Sequence, residues 1–153
     1  MLFRSGGESY SVIPRSGDVI TNLYLKVNVP LPISTAVLSS AGTLMIKYIE
    51  LYVGSQLVER LWGEYIEMKM DLEVPQTKQT ALQTLTGKGT TLSSLSYVIP
   101  IPFSCIDRGL PICAFEEDVT VRVVWYPMSN FYPGAPRGIV SFDSVLLVEY
   151  TYI

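Results

Sequence analysis

Apolar and polar residues alternate with period two along much of this chain, the pattern of strands with one face buried. From Val19 to Val29 the apolar residues Val19, Leu23, Leu25, Val27 and Val29 take the odd positions, and Asn22, Lys26 and Asn28 fall opposite. From Val119 to Trp125, Val119, Val121, Val123 and Trp125 oppose Thr120 and Arg122. Near the C-terminus Leu146, Val148, Tyr150 and Tyr152 share a face, with Glu149 and Thr151 on the other. Shorter strands are expected at Tyr10 to Pro14, Leu44 to Val53, Gln56 to Leu61, Tyr97 to Phe103 and Leu110 to Phe115, with VGSQ (53–56) as a tight turn.

Two segments break the alternation. Residues 62–73 and 77–86 read as helices, and Gly87 is placed to end the second. Both fall between the fourth and fifth predicted strands. The expectation is therefore an all-β antiparallel sandwich of about eight strands with a helical excursion over about 62–86. A βαβ arrangement is disfavoured because helices do not alternate with strands. Loops rich in Pro, Gly and Ser lie at 30–42, 86–96 and 127–138.

The excursion holds four carboxylates, Glu64, Glu67, Asp71 and Glu73, which raises the question of a reactive site. At about 100° per residue, Glu64, Glu67 and Asp71 share a narrow face, opposite a broad arc of Trp62, Tyr65, Ile66, Met68, Met70 and Leu72. The expectation is that Trp62, Ile66 and Leu72 are buried as the structural core of the helix and that the three acids stay solvated. Lys69 and Glu73 fall inside the apolar arc, four residues apart. They are either a local pair or a contact to a neighbouring subunit. One helical stripe supplies neither the cleft nor the burial that a pair of catalytic carboxylates needs.

Composition narrows the chemistry further. There is no histidine, which removes Ser-His-Asp and Cys-His nucleophiles, HExxH metalloprotease sites and His-rich metal centres. GKG at 87–89 is too little for a phosphate loop. No catalytic, cofactor-binding or metal residue is assigned, and the chain is not expected to be an enzyme. A net charge of −3 with 16% charged residues is not the basic balance of a nucleic-acid binder. No apolar run is long enough to span a bilayer, so no membrane insertion is expected. Cys105 and Cys113, with seven residues between them, are expected as free, partly buried thiols. Asn22, Asn28 and Asn130 lack the sequon for N-glycosylation.

Taken in order, IPRSGDVITNLYLKVNVP (13–30), YIELYVGSQLVERLWGEYIEM (48–68), YVIPIPFSCIDRGLPICAF (97–115) and LLVEYTYI (146–153) resemble the first jelly roll of the major capsid proteins of nucleocytoplasmic large DNA viruses. The most specific parts are SGDVI at 16–20 and ELYVGSQLVER-x-WGEY at 50–65. The resemblance implies a jelly-roll fold and a structural role in an icosahedral shell. It implies three chains forming a pseudo-hexagonal capsomer, with other copies of the chain and other capsid proteins as partners, in a virion assembled in the host cytoplasm. The segment from Trp62 to Glu73 corresponds to the family's helix after the turn at Gly54, Ser55 and Gln56.

Family members carry two jelly rolls, whereas this sequence holds one domain over 1–153, and the family's N-terminal strand is missing or reduced to MLFRSGGESY. The turn around Asp107, Arg108 and Gly109 is also shorter. The expectation is a fragment of a longer double-jelly-roll chain, with a natural single-jelly-roll minor or vertex capsid protein as the alternative. A missing edge strand would expose a sheet edge. The expected subunit contacts are Lys69, Glu73, Arg108 and Tyr132. The competing reading is a carbohydrate-binding jelly roll, motivated by the ten tyrosines and the loops at 30–42 and 127–138.

Overall fold

In the computed structural model, residues 2–4, 7–28, 41–88, 96–127 and 141–153 are described. Nine strands occur among them: β1 (Leu2–Arg4), β2 (Glu8–Val12), β3 (Val19–Asn28), β4 (Ile46–Val53), β5 (Gln56–Trp62), β6 (Ser96–Pro100), β7 (Leu110–Pro111), β8 (Val119–Trp125) and β9 (Ser141–Thr151). A single helical turn, α1 (Ala41–Leu44), precedes β4, and the helices α2 (Gly63–Glu73) and α3 (Gln76–Thr86) follow β5.

One sheet runs β1-β9-β3-β6 with the short β7 also on β3, and the other runs β2-β8-β4-β5. The pairs β1·β9, β2·β8, β3·β6 and β4·β5 nest as rungs of one long antiparallel hairpin, and the pairs β9·β3 and β8·β4 form when that hairpin wraps on itself. That wrapping is the jelly roll.

The inner faces of the two sheets make the core, with Leu23, Leu25 and Val27 of β3, Ile49 and Leu51 of β4, and Val121, Val123 and Trp125 of β8 buried. On β3 the alternation is interrupted. A bulge between Ile20 and Asn22 shifts the register, so Ile20 enters the core and Val19, expected there, is only half-buried. Trp125 satisfies its indole N–H by donating to the Ser9 hydroxyl at 3.1 Å.

The strands fall broadly where the alternation places them, but their ends differ: Leu44 belongs to α1, β2 runs from Glu8 to Val12 and not to Pro14, and β6 stops at Pro100 and not Phe103. Beyond Pro111 the expected strand over Leu110 to Phe115 gives way to a 3-10 turn at Ile112–Ala114. Pro111 has no N–H to donate to a ladder, which limits β7 to its two residues. At the other end, Leu2–Arg4 pairs with β9 opposite Asp143 to Ser141, so the short N-terminal segment does supply an edge strand over those residues.

The SGD sequence is explained by its contact with the end of β9. Tyr150 Oη donates to the Pro14 carbonyl at 2.5 Å and Tyr152 Oη to the Ser16 carbonyl at 2.7 Å. Asp18 Oδ2 accepts from the Ile153 N–H at 2.8 Å. Gly17 lies directly under Cβ of Tyr150, where any side chain would collide.

Candidate assembly surface

Helix α2 begins where β5 ends, and its seating is set by Gly63. A methyl group there would strike the carbonyl oxygens of Ile46 and Thr43, so only glycine lets the helix start this close to the sheet. The helix then buries Gly63, Ile66 and Met70, spaced i, i+3 and i+7. Helix α3 ends at Gly87, whose φ of 74° is the left-handed C-cap expected of it.

This seating corrects the expected orientation of the helix. Ile66 is fully buried as expected, but Leu72 is 77% exposed and Trp62 46% exposed. Leu72 lies half a turn away from the Gly63–Met70 line, and the sheet packs on that line and leaves the opposite flank of the apolar arc uncovered. Trp62 is the last residue of β5, paired with Tyr48 across the strand and packed edge-on against its ring at 5.3 Å between centroids. The consequence is a solvent-facing apolar stripe of Tyr65, Met68 and Leu72, each more than two-fifths exposed.

The acids do not converge. Glu64 accepts from Tyr126 Oη at 3.3 Å. Glu67 accepts from Thr43 Oγ1 at 3.1 Å and lies 3.5 Å from Lys88 Nζ. Asp71 holds the same Lys88 at 2.5 Å. Glu64 and Asp71 are exposed as expected, but Glu67 is half-buried, because its position borders the buried line and Thr43 and Lys88 close over it. Lys88 carries a raised pKa, chiefly through its hydrogen bond to Asp71. The acidic stripe thus clamps α1, α2 and the end of α3 together.

Of the expected contact residues, Lys69 is only 14% exposed and bridges Glu73 at 3.9 Å and Asp107 at 3.7 Å. It ties α2 to the turn after β6. Arg108, beside Asp107, and Glu73 are both exposed. Tyr132 and most of the three loops lie outside the described residues. Cys113 is exposed and not partly buried as expected. Cys105 is half-buried, and burial raises its thiol to about 11.

A second feature was not singled out in the sequence. On the outward face of the β2-β8-β4-β5 sheet, Tyr10, Arg122, Glu50 and Arg60 stand in one row across four strands. Glu50 is fully buried in this outward position. Its carboxylate accepts from Arg60 Nε at 2.6 Å, Arg122 Nη1 at 3.0 Å and Tyr52 Oη at 3.0 Å. Arg122 also grips Glu8 with two nitrogens, at 2.6 and 3.2 Å. The Arg60 guanidinium lies 4.8 Å from the Tyr48 ring centroid. The available signal was Glu50 and Arg122 at polar positions within apolar alternation, but their meeting depends on register.

Among the described residues no group of three or more His, Cys, Asp or Glu side chains is placed to hold a metal ion. The arrangement is a sandwich with two outward features suited to contact, an apolar helical stripe and a sheet face of Arg, Tyr and Trp.

The fold is that of the viral jelly-roll capsid proteins. It superposes on the PBCV-1 virus capsid with a TM-score of 0.78 at 15% identity, covering 100% of this chain and 42% of that one. The chain belongs to the family described as major capsid protein N-terminus, which matches residues 2–132. It is 25% identical over 156 residues to a major capsid protein of Pyramimonas orientalis virus, covering 92% of this chain and 39% of that protein. It is also 25% identical over 109 residues to capsid protein 1 of Acanthamoeba polyphaga mimivirus, covering 62% of this chain and 18% of that protein. The chain thus spans about two-fifths or less of the length of these relatives.

Proposed function

We propose that this protein is a non-enzymatic shell subunit that associates as a trimer into pseudo-hexagonal capsomers of an icosahedral virion, assembled in the host cytoplasm with other capsid proteins. The observation that carries the reading is the stripe of Tyr65, Met68 and Leu72 on α2, held outward by a helix whose opposite side is anchored in the sandwich. A helix clamped on one side and apolar on the other is built to meet a second surface. Glu73 and Arg108 lie close by on α2 and the turn bridged to it by Lys69, in the place of a polar rim. Tyr132 is assigned to the same contacts from the sequence. Neither a nucleic-acid contact nor membrane insertion belongs to this reading.

Sedimentation across a concentration series tests it. The expected result is a monomer–trimer equilibrium that Leu72→Lys and Met68→Lys shift toward monomer while the circular dichroism spectrum is unchanged. A monomer at all concentrations, or a glycan-binding signal lost in Tyr132→Ala, would overturn it in favour of a carbohydrate-binding module.

A further inference from the structure

Helix α3 is seated closely but held weakly. At its C-terminal end Gly42 lies under the Thr86 carbonyl and Gly87 lies on the Tyr97 ring, each too near to carry a side chain. Yet of its eleven residues only Thr86 is buried, and of the half-buried pair, Gln79 and Leu82, only Leu82 is apolar. Most of what ties the helix down is polar. Gln79 Nε2 donates to the Val74 carbonyl at 2.9 Å and to those of Asp71 and Met70 at 3.4 and 3.5 Å, capping the end of α2. Just past the helix, Lys88 grips Asp71 and Glu67. Between α2 and α3 the packing leaves a cavity of about 10 Å³, room for one water, bordered by Glu67, Met70, Gln79 and Leu82 among others. The Tyr97 hydroxyl, buried beneath the same end of α3, has no hydrogen-bond partner among the described residues.

We propose that α3 is a strap poised to open: it undocks as one unit from α2 and β6 while the sandwich stays folded, and by doing so releases the end of α2. Three features of the closed state carry this. Docking buries little apolar surface, so the hydrophobic gain is small. It fixes two long polar side chains, Gln79 and Lys88, whose partly exposed bonds gain little over bonds to water. It also keeps the Tyr97 hydroxyl dry, a penalty that opening removes as water reaches the ring edge. The open state uncovers Met70 and Tyr97, takes the Gln79 cap from α2 and separates Glu67 and Asp71 from Lys88. The strap therefore controls the order of the helix that carries Tyr65, Met68 and Leu72. All of these contacts lie within one chain, so the inference does not depend on the shell reading.

Native-state amide hydrogen exchange, followed by NMR at low protein concentration, tests it. The helical amides from Thr80 to Thr86 are expected to share one opening and to exchange at least roughly a hundredfold faster than those of β4 and β8. Tyr97→Phe should slow them about fivefold, because the orphan oxygen no longer favours the open state. Lys88→Met should speed them about threefold, and about 1 M salt should do the same to the unmodified protein but not to that variant. Exchange of α3 at the rate of the β4 and β8 amides, through global unfolding alone, would overturn the proposal. So would α3 amides that Tyr97→Phe leaves unchanged, since their opening would then keep that hydroxyl buried.

Discussion

Glu50 on β4 stands opposite Arg60 on β5 and Arg122 on β8, and although it points to the outward face of its sheet it has no exposed surface. Arg60, Arg122 and Tyr52 cover it and supply its hydrogen bonds. A buried carboxylate is tolerated only under such full pairing. Glu50→Gln keeps the shape and removes the charge, leaving two guanidinium groups with a weaker acceptor. Its expected cost is about 2 kcal/mol, since hydrogen bonds to charged groups contribute about 1.5–3. Urea unfolding midpoints check this, and an unchanged midpoint would refute the pairing.

Glu8, at the rim of the same network, gives a pH dependence. The hydrogen bonds from Arg122, and then from Tyr10, hold its carboxyl below the usual value of 4.5. A folded-state pKa below the unfolded one adds stability above the unfolded value, and the gain is lost as pH falls through the lowered one. The difference in unfolding midpoint between the unmodified protein and Glu8→Gln should therefore be constant above pH 4.5 and shrink below it. A difference that does not change with pH would remove Glu8 from the network.

Gly63→Ala tests the seating of α2. The added methyl meets two carbonyl oxygens of the backbone, which cannot swing aside as a flexible side chain does. The expected cost is about 2 kcal/mol, within the usual range for overpacking, despite alanine's better helix propensity. Thermal melting measures it. A stabilised variant would show that the helix start is looser than its contacts imply.

Tyr97 carries a cost already present. Its hydroxyl is buried under Gly87 with no hydrogen-bond partner among the described residues, and burial raises its pKa. Tyr97→Phe removes the orphan oxygen and keeps the ring. It should stabilise by about 1 kcal/mol, the low end of the penalty for an unsatisfied buried polar group. Lower stability in calorimetry would mean that the hydroxyl has a partner.

The helical pair shows how far sequence reading reaches. Two helices between β5 and β6, the second capped by Gly87, followed from local signals: loss of the period-two pattern and a glycine able to adopt positive φ. Which side of α2 faces the sheet did not follow. Its apolar arc is broader than the line that one sheet edge can cover, and Gly63, which has no side chain to bury, decides the contact through backbone proximity. Burial of Leu72 was expected for that reason and exposure was found.

By itself the sequence determined most of the strands, the faces of their regular stretches and the family resemblance, because alternation, turn residues and motif order act over a few neighbours in the chain. The tertiary structure decided what depends on register and approach. The bulge after Ile20 exchanged Val19 for Ile20 in the core, and cross-strand pairing brought Glu50 to Arg60 and Arg122. The same pairing joined Leu2–Arg4 to Ser141–Asp143 at the far end of the chain. These outcomes join residues as many as 141 positions apart, such as Leu2 and Asp143, and a local pattern holds no information about which distant strand will meet it or at what offset.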